Sequence, residues 1–248
     1  MLGTTVSTLY RQVDRYPDKV FIFSETGNLT FKQFDNKVNQ LANFLHGLGI
    51  GRKDNVGLLM VNCPEIYVAI LAIHKLGAVA CLWNFRLTPA NIEYLVQSTD
   101  AKGLVFNEEF MDKVPSAGFF LRLCVDGKNS LPEDVIDYSA AVSSQPTSSP
   151  LTADPTEEDI ASIIYTSGTT GNPKGAAYNH RAQLISAMQY SLEMGLERSR
   201  RGLSAAPVIH GAATNFFMAY PLYWGIIYRF RIIRPGKGPE ASHGFSSD

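Results

Sequence analysis

The apolar positions Phe34, Val38, Leu41, Leu45 and Leu48 follow one another at spacings of four, three, four and three. That rhythm lines one face of a helix, and Gly49 and Gly51 supply its end. Ahead of it, Val20-Phe-Ile-Phe23, a turn-rich Ser24 to Asn28 and Leu29-Thr-Phe31 predict two strands joined as a hairpin. Behind it, Val56-Gly-Leu-Leu-Met-Val61 is a continuous apolar run, the mark of a strand covered on both faces, and Pro64 can open a helix from Glu65 to Leu76. The order repeats as Ala78 to Trp83 (strand), Thr88-Pro89 (cap and first turn), Ile92 to Gln97 (helix) and Gly103 to Phe106 (strand). The alternation β-α-β-α-β predicts an α/β fold of layered β-sheets with flanking helices.

Between 139 and 159 the pattern breaks. Ser143-Ser-Gln-Pro-Thr-Ser-Ser-Pro150 has no hydrophobic period, which reads as a surface linker. Periodicity returns with a strand, Ile160-Ala-Ser-Ile-Ile164, a glycine-rich loop and a helix from about Asn179 to Met194. A further apolar helix covers Phe216 to Leu222, and the small, polar stretch 236–248 predicts a disordered tail. The expected organisation is a first α/β lobe at 1–138, a linker at 139–159 and the start of a second lobe at 160–235.

Composition narrows the function classes. Twenty-two Lys and Arg against twenty-three Asp and Glu leave a formal charge of -1, so no general field draws in nucleic acid or an anionic membrane. No apolar run of about twenty residues spans a bilayer, and the N-terminus lacks the apolar core of a secretory signal, so an intracellular protein is expected. Cys63, Cys81 and Cys124 are scattered without a Cys-x-x-Cys pair, which predicts buried, reduced thiols and no zinc site.

The chemistry is concentrated in Thr166-Ser-Gly-Thr-Thr-Gly-Asn-Pro-Lys-Gly175, where ten residues hold three glycines, four hydroxyls and one lysine. Gly168 and Gly171 permit close approaches that a Cβ would block, so that successive N–H groups converge on phosphate oxygens. Thr166, Ser167, Thr169 and Thr170 add hydroxyl donors, and Lys174 adds a positive charge. Pro173 stands where a Walker loop has its second glycine, and Gly175 follows the lysine in place of Ser or Thr, so the loop is not of that type. No Gly-x-Gly-x-x-Gly occurs, which argues against a dinucleotide fold.

The string resembles, at every defined position, the signature loop of the adenylate-forming superfamily of acyl-CoA synthetases, luciferases and peptide-synthetase adenylation domains, with the pattern closest to fatty acyl-CoA synthetases. The resemblance extends over about residues 5 to 225. It includes Asn62-Cys-Pro-Glu65, Lys75-Leu-Gly-Ala-Val79, Asn84 and the segment Ala176 to Leu184. It implies that the loop holds the β- and γ-phosphates of ATP, with Mg2+, while a carboxylate attacks the α-phosphorus and pyrophosphate leaves. The thiol of coenzyme A then attacks the resulting acyl-adenylate. Charge gathering on the leaving pyrophosphate is what oriented N–H groups, hydroxyls, Lys174 and the metal would stabilise. Pro207-Val-Ile-His210 resembles the family segment that lines the acyl pocket, although Ile209 replaces an aromatic residue and Ala213 a glycine; this makes His210 a pocket candidate and a fatty acid the expected substrate. His180, at the start of a helix, reads as a structural residue, and Trp83 and Phe85 read as core.

Three family features are absent: an aromatic-Gly-x-Thr-Glu string, a Thr-Gly-Asp string and a C-terminal lobe with its lysine. A phosphate loop alone binds triphosphate but does not hold nucleophile and α-phosphorus in line. The chain is therefore expected to be an N-terminal fragment of an acyl-CoA synthetase, inactive by itself and with no catalytic residue of its own. The alternatives are a non-catalytic nucleotide-binding or interaction module, and a luciferase-like or aryl-acid adenylating enzyme.

Overall fold

A computed structural model of the chain describes residues 3–24, 26–127, 130–152, 154–166, 172–196, 202–203 and 206–223. The expected tail at 236–248 lies outside them, as does the stretch 224–235 of the expected second lobe.

The chain opens with a helix that periodicity alone did not reveal, α1 (Thr5–Arg15). Thr4 caps it: the Thr4 side chain accepts from the Ser7 N–H while the Ser7 side chain takes the Thr4 N–H. Val6 and Leu9 of α1 are buried. Strands β1 (Val20–Ile22) and β2 (Leu29–Thr30) form the expected antiparallel pair. Thr30 then caps α2 (Phe31–Gly47), whose predicted stripe of Phe34, Val38, Leu41 and Leu45 is fully buried, with Leu48 at the margin, partly exposed. Gly49, at a φ of 84°, ends α2. The Ile50 N–H reaches back to the Leu45 carbonyl at 3.0 Å and the Gly49 N–H to the His46 carbonyl at 2.9 Å, a pairing that needs the left-handed residue between helix and strand.

Then comes the α/β repeat: β3 (Asn55–Leu59), α3 (Pro64–Lys75), β4 (Val79–Leu82), α4 (Pro89–Thr99) and β5 (Ala101–Asn107). Thr88 caps α4 by accepting from the Asn91 N–H, with Pro89 in the first turn. Later come β6 (Leu121–Val125), β7 (Ile136–Asp137), α5 (Tyr138–Ser143), β8 (Ile160–Thr166), β9 (Lys174–Asn179), α6 (His180–Glu193) and α7 (Gly211–Tyr223). One sheet holds seven strands in the order β7-β6-β5-β3-β4-β8-β9, all parallel except β9, which runs antiparallel to β8. A parallel sheet must be covered on both faces, and neighbouring strand residues divide accordingly. Leu58, Val105 and Leu123 pack with α2, α3 and α7 on one face, and Leu59, Leu104 and Cys124 pack with α4 on the other.

Helix α3 is buried almost all round, Lys75 included. The Lys75 ammonium sits 3.7 Å from Asp35, hydrogen-bonds to Asn39 and lies over the Tyr10 ring at 4.6 Å, which ties together α1, α2 and α3. Trp83 is fully buried as expected of core, and Phe85, half-buried, stacks on Phe110 at 5.6 Å. The three cysteines are free. Burial pushes the Cys81 thiol up to about 12 and the Cys124 thiol up to about 11, so neither is a nucleophile at neutral pH.

The stretch expected as a linker is mostly exposed, but it is held to α2 by carboxamides. Asn39 Nδ2 donates to the Thr147 carbonyl at 2.8 Å, Gln40 Nε2 to that of Gln145 at 3.2 Å, and Asn43 Nδ2 to those of Pro146 and Ser148 at 3.0 and 2.9 Å. It delivers β8 to the edge of β4, where Ala80, Cys81 and Leu82 pair with Ser162, Ile163 and Ile164. The strand before the glycine-rich loop thus joins the same sheet as β3 to β6. Among the described residues, no helix is long and apolar enough to cross a membrane.

Candidate functional site

Parallel strands end together at one edge of a sheet, and ligands of such folds gather outside those carboxyl ends. Here β8 runs to that edge and β9 returns from it. Thr166 and Lys174 are direct Cα partners across the antiparallel ladder, followed inward by Tyr165 and Gly175, then Ile164 and Ala176. The glycine-rich stretch is therefore a hairpin connection anchored at both ends on the sheet. Ser167, Gly168, Thr169, Thr170 and Gly171, and the side chain of Thr166, lie outside the described residues. Lys174 is exposed at the mouth of the hairpin.

The base of the hairpin is closed by a contact that requires glycine. A Cβ on Gly175 would stand 2.6 Å from Ile163 Cγ2 and 3.0 Å from the Tyr165 ring. The bare backbone lets the Tyr165 ring lie across the ladder, where burial raises its phenol above the ordinary range, with smaller contributions from Cys81 and Tyr94. At neutral pH this side chain is a neutral brace.

The second predicted component arrives from the far end of the chain. Val208 and Ile209 are buried in the core, whereas His210 is exposed. The His210 N–H closes a turn onto the Pro207 carbonyl at 3.0 Å, and α7 starts at the next residue. A Cβ on Gly211 would lie 3.9 Å from Ile164 Cδ1, so the start of α7 sits against β8 two residues before Thr166. The His210 segment and the hairpin therefore share one edge of the sheet, next to the same strand. Asn62, just beyond β3, holds the segment: its Nδ2 donates to the Ala206 carbonyl at 2.7 Å, and the Val208 N–H donates to its Oδ1 at 2.8 Å. Residue spacing alone did not mark Asn62 as more than a packing residue. The available signals were an Asn directly after an apolar strand and before a Pro-initiated helix, and its place in the segment Asn62-Cys-Pro-Glu65 that resembles the family.

His180 lies elsewhere, at the opposite end of β9, and is fully buried. The Thr5 hydroxyl is 2.9 Å from both His180 Nδ1 and His74 Nδ1, and His74 Nε2 is 3.0 Å from Ser162 Oγ. The Thr5 N–H also donates to His180 Nδ1 at 3.4 Å, so that nitrogen is an acceptor and takes the Thr5 hydroxyl proton, which leaves His74 Nδ1–H to donate to the Thr5 oxygen. Burial brings His180 down to about 4 against a partial counter-effect of Asp159, and burial together with His180 brings His74 well below its usual value. Both imidazoles are neutral structural pieces that pin α1 to the sheet.

Near Asn62, burial raises the carboxyl of Glu65, and burial and the Glu65 charge raise the Cys63 thiol. Among the described residues no group of three or more His, Cys, Asp or Glu side chains could hold a metal ion.

Residues 9–231 match the family described as AMP-binding enzyme. The chain is 26% identical over 224 residues to a 2-succinylbenzoate--CoA ligase of Geobacillus sp. (strain WCH70), covering 90% of this chain and 42% of that protein. It is 34% identical over 177 residues to a medium/long-chain-fatty-acid--CoA/3-oxocholest-4-en-26-oate--CoA ligase of Mycolicibacterium smegmatis, covering 68% of this chain and 32% of the other. Among solved structures, the anthranilate CoA ligase AuaEII in complex with anthranoyl-AMP superposes with a TM-score of 0.80 at 28% identity, over 90% of this chain and 44% of that one. The chain thus spans less than half the length of these relatives. With the loop string, the sheet that presents it and a match over most of its residues, the chain belongs to the AMP-binding enzyme family, whose ligases activate acids as adenylates.

Proposed function

We propose that this chain supplies the phosphate grip and part of the acid pocket for ATP-dependent activation of a carboxylic acid, a fatty acid in the first instance, to an acyl-adenylate and then to an acyl-CoA. The observation that supports the reading most is the anchoring of the glycine-rich hairpin by the Thr166 and Lys174 pair at the carboxyl edge of β8. On this reading Thr166, Ser167, Gly168, Thr169, Thr170 and Gly171 surround the β- and γ-phosphates, and Lys174 balances the charge that builds on pyrophosphate as it leaves. A carboxylate oxygen forms the bond to the α-phosphorus as the bond to the bridging oxygen breaks. The His210 segment lines the acid, with apolar α7 behind it. On the same reading magnesium enters with the nucleotide, as part of the substrate. Coenzyme A is the acyl acceptor.

An aryl acid is the second reading, favoured by the succinylbenzoate and anthranilate ligases among the relatives. A third is a non-catalytic nucleotide-binding or interaction module. Equilibrium titration of the chain with ATP, with dodecanoate and with benzoate separates the three. Binding of ATP and dodecanoate supports the first reading, and binding of ATP and benzoate the second. ATP binding with neither acid leaves the module.

A further inference from the structure

We propose that Asn62 is a positioning residue for the acid pocket: its carboxamide takes the place of a strand residue and fixes the backbone of 206–210, and so the direction in which His210 points. The inference rests on the reading of His210 as a pocket residue.

The geometry carries the argument. An Asn side chain has one acceptor and one two-proton donor, the same groups a peptide unit offers a neighbouring strand. Here both are used on alternate residues of a single segment. The Ala206 carbonyl receives Nδ2 at 2.7 Å, and the Val208 N–H meets Oδ1 at 2.8 Å. These partners also settle which end of the amide is oxygen, since only a carbonyl can accept from Val208 N–H. The contact spans more than 140 residues of sequence, so no local preference of 206–210 substitutes for it.

A second clamp acts from the other side. Buried Thr214, in the first turn of α7, donates from Oγ1 to the Val208 carbonyl at 2.5 Å and lies 3.2 Å from the His210 carbonyl, which also accepts its N–H at 3.0 Å. The backbone of Val208 is thus bound at its N–H by Asn62 and at its carbonyl by Thr214. Val208 and Ile209 point into the core while His210 faces out. A segment held this way resembles a bracket whose exposed arm is His210. Asn62 grows from the carboxyl end of β3, adjacent to β4 and one strand further from β8. The bracket is therefore referenced to the same sheet that anchors the hairpin, which keeps an acid at His210 in fixed relation to a nucleotide at the loop. Misplacement of about 1 Å in such a constellation costs up to about a hundredfold in rate.

The test compares the unaltered 248-residue chain with Asn62→Leu, Asn62→Asp, His210→Ala and the Asn62→Leu/His210→Ala pair. It titrates each with dodecanoate and with ATP, and follows amide hydrogen exchange of the peptide containing 206–210. Asn62→Leu removes both bonds. It is expected to weaken dodecanoate binding by about tenfold, to speed exchange at Val208 and to leave ATP affinity unchanged, with no added loss in the double variant. Asn62→Asp keeps the acceptor for Val208 and is expected to fall between; it carries the comparison if Asn62→Leu does not fold. If His210→Ala weakens the acid and neither Asn62 variant does, the positioning role is overturned while the pocket reading stands. Equal loss of acid and ATP on Asn62→Leu makes the residue a general packing element and also overturns it. If His210→Ala has no effect, or the unaltered chain binds no dodecanoate, the pocket reading falls and the proposal with it.

Discussion

Acid should release the N-terminal helix through the imidazole pair, and the size of the effect follows from burial. His180 titrates near 6.5 when unfolded and is brought down to about 4 in the fold. Its depressed value means that the unfolded chain binds the proton first. The stability it confers is complete above pH 6.5, declines as pH falls through the window from 6.5 to about 4, and is gone below that. The gap corresponds to about 3 kcal/mol, at about 1.4 kcal/mol per pH unit, a large share of the roughly 5–15 kcal/mol of an ordinary domain. His74, lowered in the same direction, steepens the decline. The groups facing the pair are Thr5 of α1, Ser162 of β8 and the Asp159 carboxylate, and Asp159 alone favours the protonated form of His180. Glu65, raised by burial, acts in the opposite sense, adding stability as pH falls from its raised range toward 4.5. The assay is urea unfolding at pH 7.5, 6.5, 5.5 and 4.5 for the unaltered chain and His180→Asn, in which a carboxamide replaces the ring near Thr5. The advantage of the unaltered chain should shrink by about 1.4 kcal/mol per pH unit at the steepest. An advantage that stays constant between pH 7.5 and 4.5 refutes the claim that His180 is held neutral.

Three other substitutions probe the scaffold. Gly175→Ala places a methyl 2.6 Å from Ile163 Cγ2 and should cost about 1–3 kcal/mol in urea unfolding; a neutral result means that Tyr165 does not pack over the ladder. Lys75→Met strands the buried Asp35 carboxylate and should cost about 3–5 kcal/mol, while the Lys75→Met/Asp35→Leu pair should recover most of that in the same measurement. Asn43→Ala removes the donor to Pro146 and Ser148; amide exchange in the 145–152 peptide should rise several-fold with little change in global stability, and unchanged exchange would mean that the strap does not depend on it.

Much of the fold could be read locally because its signals are local. The stripe from Phe34 to Leu45, the run at Val56, Pro64 and the Thr88-Pro89 cap each act within one or two turns, and the structure uses each as read. Helix α1 escaped because only three or four apolar positions mark it; the signal that could have found it is the Thr4 and Ser7 capping pair. The strap along α2 had no period to detect, since its order comes from carboxamides about 105 residues away. The same holds for the Asn62 bracket and for Thr5 between two histidines, where single polar side chains meet partners from distant segments. The glycine-rich loop stood out for the opposite reason: the phosphate grip proposed for it would demand close approach, hydroxyl donors and a lysine within ten consecutive residues.

The claim that the hairpin from Thr166 to Lys174 grips phosphate is tested most directly by equilibrium titration of the chain and of Lys174→Ala with ATP and with adenosine. A lysine acting on phosphate charge predicts at least about a tenfold loss of ATP affinity and no change for adenosine. Equal losses for the two ligands, or none for either, would contradict it.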